Sequence, residues 1–168
     1  MKNAPAVDAA GRIYLCSQGR IVALEEASGK PAVVWEYVLG CHVPGAIVLG
    51  PDGNLRAHAA DGLLHCITPA GKQAWLPARV GEPLGWAAPV VDAANNTLVS
   101  AYDGGLIRVG PEGKLDPRPY FRSRRKLDSA GVIHEGVLYI GSEDGYVFAI
   151  QLDADRGHNL FDHAAEQG

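Results

Sequence analysis

Apolar and polar residues alternate in short runs along this chain, and the runs come in pairs around a glycine. "YIGSEDGYVFAI", Tyr139 to Ile150, is the clearest pair. "YLCSQGRIVAL", "RAHAADGLLHCI" and "VSAYDGGLIRV" repeat it in more worn form. Alternation with a period of two, bounded by Gly, Asp and Asn, predicts strands joined by tight turns. The turn glycines are Gly19, Gly62, Gly104 and Gly145, spaced by 43, 42 and 41 residues. Helical periodicity is absent, except that "FDHAAEQ" near the C-terminus allows one turn of helix.

Each copy divides into four apolar runs. The first holds "APAVD", "RIYLCS", "RIVALE" and "AVVWEYVL". The second holds "GAIVL", "NLRAHA", "LLHCIT" and "QAWLPA", and the third "APVVD", "TLVSAY", "LIRVG" and "PRPYFRS". The fourth supplies "AGVIH", "VLYIGS" and "YVFAIQL", and "HNLFDHA" in the tail is the candidate for its last strand. A unit of about 42 residues containing four short strands has the length of a β-propeller blade. The expected fold class is therefore all-β, with four four-stranded antiparallel blades. Their approximate bounds are 1–39, 40–81, 82–126 and 127–162, with a C-terminal tail at 154–168 that supplies the last outer strand.

The repeated residues resemble those of the pyrroloquinoline-quinone-like β-propeller repeat family. The first copy carries Pro5, Asp8, Gly11, Tyr14, Gly19, Ala23, Leu24, Ser28, Gly29, Lys30 and Trp35. The second keeps Asp61, Gly62, Gly71, Lys72 and Trp75; the third keeps Pro89, Asp92, Gly104, Gly113 and Lys114, with Tyr120 or Phe121 in place of Trp. The fourth keeps Tyr139, Asp144, Gly145 and Ala149 and lacks the Gly-Lys turn and the Trp. The resemblance implies that Trp35, Trp75, Tyr120 and Phe121 dock between neighbouring blades, a role suited to large apolar plates.

Propellers of that family usually have seven or eight blades, and this chain has text for four. Four blades of this width form an open half ring with an apolar flank at each end. Exposed apolar area of that size calls for a partner. A homodimer closing an eight-bladed ring is the expected answer; a closed four-bladed ring and a fragment of a longer chain are the alternatives.

Composition narrows the function classes. The chain has 168 residues, 47% of them hydrophobic, with a net charge of −4, which gives no reason to expect nucleic acid as a partner. No apolar run approaches the ~20 residues that span a bilayer, and "MKNAPAVDAAGRIYL" has no apolar signal core. A soluble chain with no signal peptide is expected, its compartment left open. Cys16, Cys41 and Cys66 are too few and too odd in number for a disulfide framework; Cys16 and Cys66 read as buried, inert thiols.

Candidate chemistry is sparse. The stretches entering the innermost strands place Asn3, His42, Trp86 and Asp128 near one mouth of the axial channel, a conceivable ligand rim. Quinone enzymes of the related family use longer chains, a calcium site, an acidic base and often an adjacent cysteine pair. This chain has no Cys-Cys pair, so no cofactor is predicted and pyrroloquinoline quinone is not expected. Cys41-His42 and His65-Cys66 are adjacent on strands and point to opposite faces, so no metal site is assigned. "YFRSRRK", Tyr120 to Lys126, reads as a solvated basic surface. The "SGK", "AGK" and "EGK" runs lack the spacing of a phosphate-binding loop. The expectation is a non-catalytic binding or scaffold module for a protein or small ligand. A sensor or enzyme using the channel mouth, or a half-propeller without activity of its own, is the alternative.

Overall fold

The computed structural model describes residues 4–81, 87–152 and 157–164. They form four antiparallel sheets, each with its four strands in sequence order. Sheet 1 is β1 (Ala6–Val7), β2 (Ile13–Ser17), β3 (Arg20–Ala27) and β4 (Lys30–Val38). Sheet 2 is β5 (Val48–Leu49), β6 (Leu55–His58), β7 (Leu63–Ile67) and β8 (Gln73–Arg79). Sheet 3 is β9 (Val90–Val91), β10 (Thr97–Ser100), β11 (Gly105–Val109) and β12 (Phe121–Arg122). Sheet 4 is β13 (Val132–His134), β14 (Val137–Gly141), β15 (Tyr146–Leu152) and β16 (Gly157–Ala164).

Turn chemistry fixes these meanders. Gln18-Gly19, Ser28-Gly29 and Glu135-Gly136 have positive φ at both residues, the two-residue hairpin that matches strand twist. In the first and third sheets Asp8 and Asp92 close the wider hairpin, each Oδ1 accepting two backbone N–H groups within 2.9 Å. The third outer strand is much shorter than the apolar run predicts. Pro117 and Pro119 have no N–H to offer a ladder, so pairing is confined to Phe121 and Arg122. The tail does not form a helical turn over Phe161–Ala164; those residues pair with Tyr146–Ala149 as the end of β16.

Alternate residues face opposite sides of each sheet, so the two middle sheets meet a different neighbour on each face. Tyr14, Ile21 and Ala23 of sheet 1 meet Leu55, Ala57 and Ile67 of sheet 2. Leu64 and Ala78, on the other face of sheet 2, meet Val99 and Val109 of sheet 3. Leu98 and Leu106 of sheet 3 meet Leu138, Ile140, Phe148 and Ile150 of sheet 4. Among the described residues no core joins sheet 4 back to sheet 1, so the stack is open at both ends.

Candidate functional site

The register places Trp35 opposite Ala23 and Trp75 opposite Cys66, the same position in successive sheets. Each indole covers the turn before the outer strand of the next sheet. A Cβ added to Gly71 would lie 2.6 Å from the Trp35 ring, and one added to Gly113 would lie 2.7 Å from the Trp75 ring. Trp35 Nε1 donates to the Pro69 carbonyl at 2.9 Å, and Arg12 Nη1 donates to the same oxygen at 2.7 Å. Trp75 Nε1 is buried without a partner among the described residues.

The third interface is built differently. Arg108 holds the position of Ala23 and Cys66. Its guanidinium lies 4.5 Å from the Tyr120 ring centroid, and its Nε donates to Asp116 Oδ2 at 2.7 Å. A pocket of 360 Å³, lined in part by Asp92, Asn96, Arg108 and Asp116, adjoins this cluster. Phe121 meets Phe148 at 5.3 Å, as Tyr37 meets His65 at 6.4 Å in the first interface.

Of the four channel-rim candidates, His42 and Asp128 are among the described residues. Asn3 and Trp86 lie outside the described residues. The side chain of His42 is exposed, and its carbonyl accepts from the Ala60 N–H. Asp128 is exposed and lies 3.3 Å from Lys126 Nζ, which also pairs with Glu143 at 2.7 Å. The basic run is half engaged: Arg122 pairs with Asp103 at 2.8 Å and Lys126 is paired as above, while Arg124 and Arg125 are exposed.

Sheet 2 holds a buried polar layer that strand alternation conceals. Arg56 is fully buried, donating from Nε to Thr97 Oγ1 at 3.1 Å and from Nη2 to Asp52 Oδ2 at 3.0 Å. Arginine between apolar neighbours in "NLRAHA" reads as an exposed position on an alternating strand, yet that face is covered by sheet 3. Next to it, burial pushes the Cys66 thiol up to about 11, with the Arg56 guanidinium pulling the other way. His58 and His65 are also buried, and burial holds both below the ordinary imidazole range. Among the described residues no three His, Cys, Asp or Glu side chains form a metal-ligand group.

With four sequential meanders stacked face to face, solved structures of the same architecture can be compared. BamB from Moraxella catarrhalis is similar with a TM-score of 0.70 and 19% identity, over 95% of this chain and 48% of BamB. Streptogramin B lyase is similar with a TM-score of 0.72 and 16% identity, over 97% of this chain and 54% of the lyase. The fold is that of a β-propeller. The four sheets are its blades, and the chain spans about half the length of these two propellers. The computationally designed Ika4 protein is similar over 91% of this chain and 94% of its own, with a TM-score of 0.72 and 13% identity. No model of a known family matches the sequence, and no curated protein matches it significantly.

Proposed function

We propose that this chain is a non-catalytic binding or scaffold module that acts as a homodimer, two four-bladed halves closing one eight-bladed ring. The observation that carries the reading is the state of the two end blades. Val147 of blade 4 is 41% exposed, whereas its equivalents Ile21, Leu64 and Leu106 are 0%, 0% and 1% exposed. Ile13 of blade 1 is 38% exposed, whereas its equivalent Leu55 is fully buried. These are positions that the propeller buries wherever a neighbouring blade is present, and on the two flanks no neighbouring blade is present among the described residues. A second copy related by a two-fold axis supplies both missing neighbours at once. BamB and the lyase, propellers about twice this length, are consistent with that arithmetic of blades.

Light scattering on the purified chain is the test. The expected mass is twice that of the 17.7 kDa chain, falling to one copy when Val147 is replaced by Asp. A native monomer would refute the dimer, and an extended ladder of masses would mean that the flanks meet without closing. Tight chemical turnover of any small molecule at the channel mouth would refute the non-catalytic reading.

A further inference from the structure

Three blades join their second and third strands through an Asp-Gly turn, and one of these turns is not capped. Asp61 Oδ1 accepts the Leu63 N–H at 3.0 Å, and Asp103 Oδ1 accepts the Gly105 N–H at 3.0 Å. Asp144 makes no such bond to Tyr146. Its Oδ1 is buried and has no hydrogen-bond partner among the described residues. Buried acceptors are nearly always satisfied, because leaving one unpaired forfeits its hydration. Asp144 as a whole is only half-buried, so a turn of its carboxylate carries the unpaired oxygen to a donor in the adjoining groove.

Asp144 lines a groove of 390 Å³ between the outer parts of blades 3 and 4. Its apolar wall is an aromatic trio: Phe121 lies 5.3 Å from Phe148, and Tyr146 stacks on Phe148 at 6.3 Å with 25° between the planes. Tyr146 is the outermost ring, 38% exposed. Arg122 and Arg124 line the same groove. Arg122 is committed to Asp103, whereas Arg124 is exposed and makes no hydrogen bond or ion pair among the described residues. The groove therefore offers a ring face, an exposed guanidinium and, once the Asp144 carboxylate turns, an unpaired acceptor oxygen. Val147, on the flank assigned to the second copy, and Phe148, on the groove side, point to opposite faces of β15, so dimer closure leaves the groove open.

The geometry points to a peptide-binding groove that takes a free C-terminus ending in an aromatic residue. The terminal carboxylate lies on Arg124 as a charge-assisted, bidentate pair. The aromatic side chain stacks on Tyr146, and a backbone N–H of the peptide donates to Asp144 Oδ1. A phosphate-rich ligand is disfavoured, since it would bring more negative charge against Asp144. The volume lies within the ordinary range for small-ligand sites of about 300–1,000 Å³.

The test is calorimetric titration of the full chain with the tripeptide Gly-Ala-Phe and with its C-terminal amide. The free acid should bind, and the amide should bind roughly tenfold or more weakly, the loss expected for a charge-assisted contact. Arg124→Gln should weaken the acid by a similar factor and abolish its preference over the amide. Asp144→Ala should weaken both peptides. Arg125→Gln, an adjacent exposed cation that does not line the groove, should change neither. The inference is overturned by equal binding of acid and amide, by equal losses in the Arg124 and Arg125 variants, by saturable binding of inorganic phosphate in place of the peptide, or by no binding of the acid at its solubility limit.

Discussion

Gly71→Ala tests the packing of the blades directly. Gly71 sits at φ +76°, and a methyl group there would lie 2.6 Å from the Trp35 ring. Two costs follow. The left-handed backbone costs a residue with a Cβ about 1–2 kcal/mol. Forcing a methyl into a filled space adds roughly 1–3 kcal/mol. Trp35 cannot retreat without also losing its 2.9 Å bond to the Pro69 carbonyl. Gly53→Ala isolates the first cost: its φ is +74°, and a Cβ there would make only an ordinary contact, 3.7 Å from Pro69. Gly53→Ala is thus expected to lose about 1–2 kcal/mol, and Gly71→Ala roughly 2–5 kcal/mol. Gly113→Ala, which meets the unbonded Trp75 indole at 2.7 Å, should fall between them. Urea unfolding followed by far-ultraviolet circular dichroism reads these differences, with protein concentration held fixed because assembly shifts apparent stability. Equal losses for Gly53→Ala and Gly71→Ala would refute the docking of the indole on that turn. So would a Gly71→Ala penalty that persists unchanged in a Trp35→Leu background.

Further outcomes are expected. The buried neutral state of His58 and His65 makes the unfolded chain bind more protons as pH falls below 6.5, so stability is greatest above that pH and drops beneath it. The slope is at most about 1.4 kcal/mol per pH unit for each histidine, and urea midpoints between pH 7.5 and 5.5 should fall in that direction, with the fall flattened in a His58→Asn, His65→Asn double variant. With a thiol reagent at about pH 8, Cys41 should label in the native state. Cys16 and Cys66, buried and with raised pKa, should label only on unfolding. Gly29→Ala should weaken self-association more than Gly53→Ala does, measured by concentration-dependent light scattering. Equal effects on assembly would count against a copy seated on that turn.

The repeat was legible because its signals are local. Alternating side chains and turn glycines act within a dozen residues, so strand number and order could be read without tertiary information. Where tertiary contacts decide, the reading thinned. β16 is largely polar, and its eight residues become a strand because β15 offers a free edge, not through their own propensity. Arg56 on an alternating strand reads as solvent-facing, and only the cover of blade 3 makes it interior. The channel rim rests on loops whose spatial placement no periodicity encodes, and two of its four candidates, Asn3 and Trp86, lie outside the described residues. The exceptional turn at Asp144 was invisible for the opposite reason. "EDG" is written like its neighbours "ADG" and "DGG", and only the missing hydrogen bond distinguishes it.

The end blades carry the strongest argument about assembly, because they match each other position by position. The flank face of blade 4 carries Val132 and Val147, both exposed, half-buried Tyr139 and fully buried Ala149, the register equivalents of Ala6, Ile21, Tyr14 and Ala23 in blade 1. That set, in blade 1, is the one that meets blade 2. Blade 1 in turn presents Ile13, Leu15 and Leu24 at the positions of Leu55, Ala57 and Ile67, the set by which blade 2 receives it. The aromatic position is kept as well. Phe161 pairs with Ala149 as Trp35 pairs with Ala23, and the Gly29 turn, which corresponds to the covered turns at Gly71 and Gly113, has open space where a Cβ would go. A contact from blade 4 of one copy to blade 1 of another would therefore repeat, in residue type and register, the contact already made between blades 1 and 2. Two such contacts related by a two-fold axis leave no flank exposed, which is the physical reason to favour closure by a pair over a chain of copies.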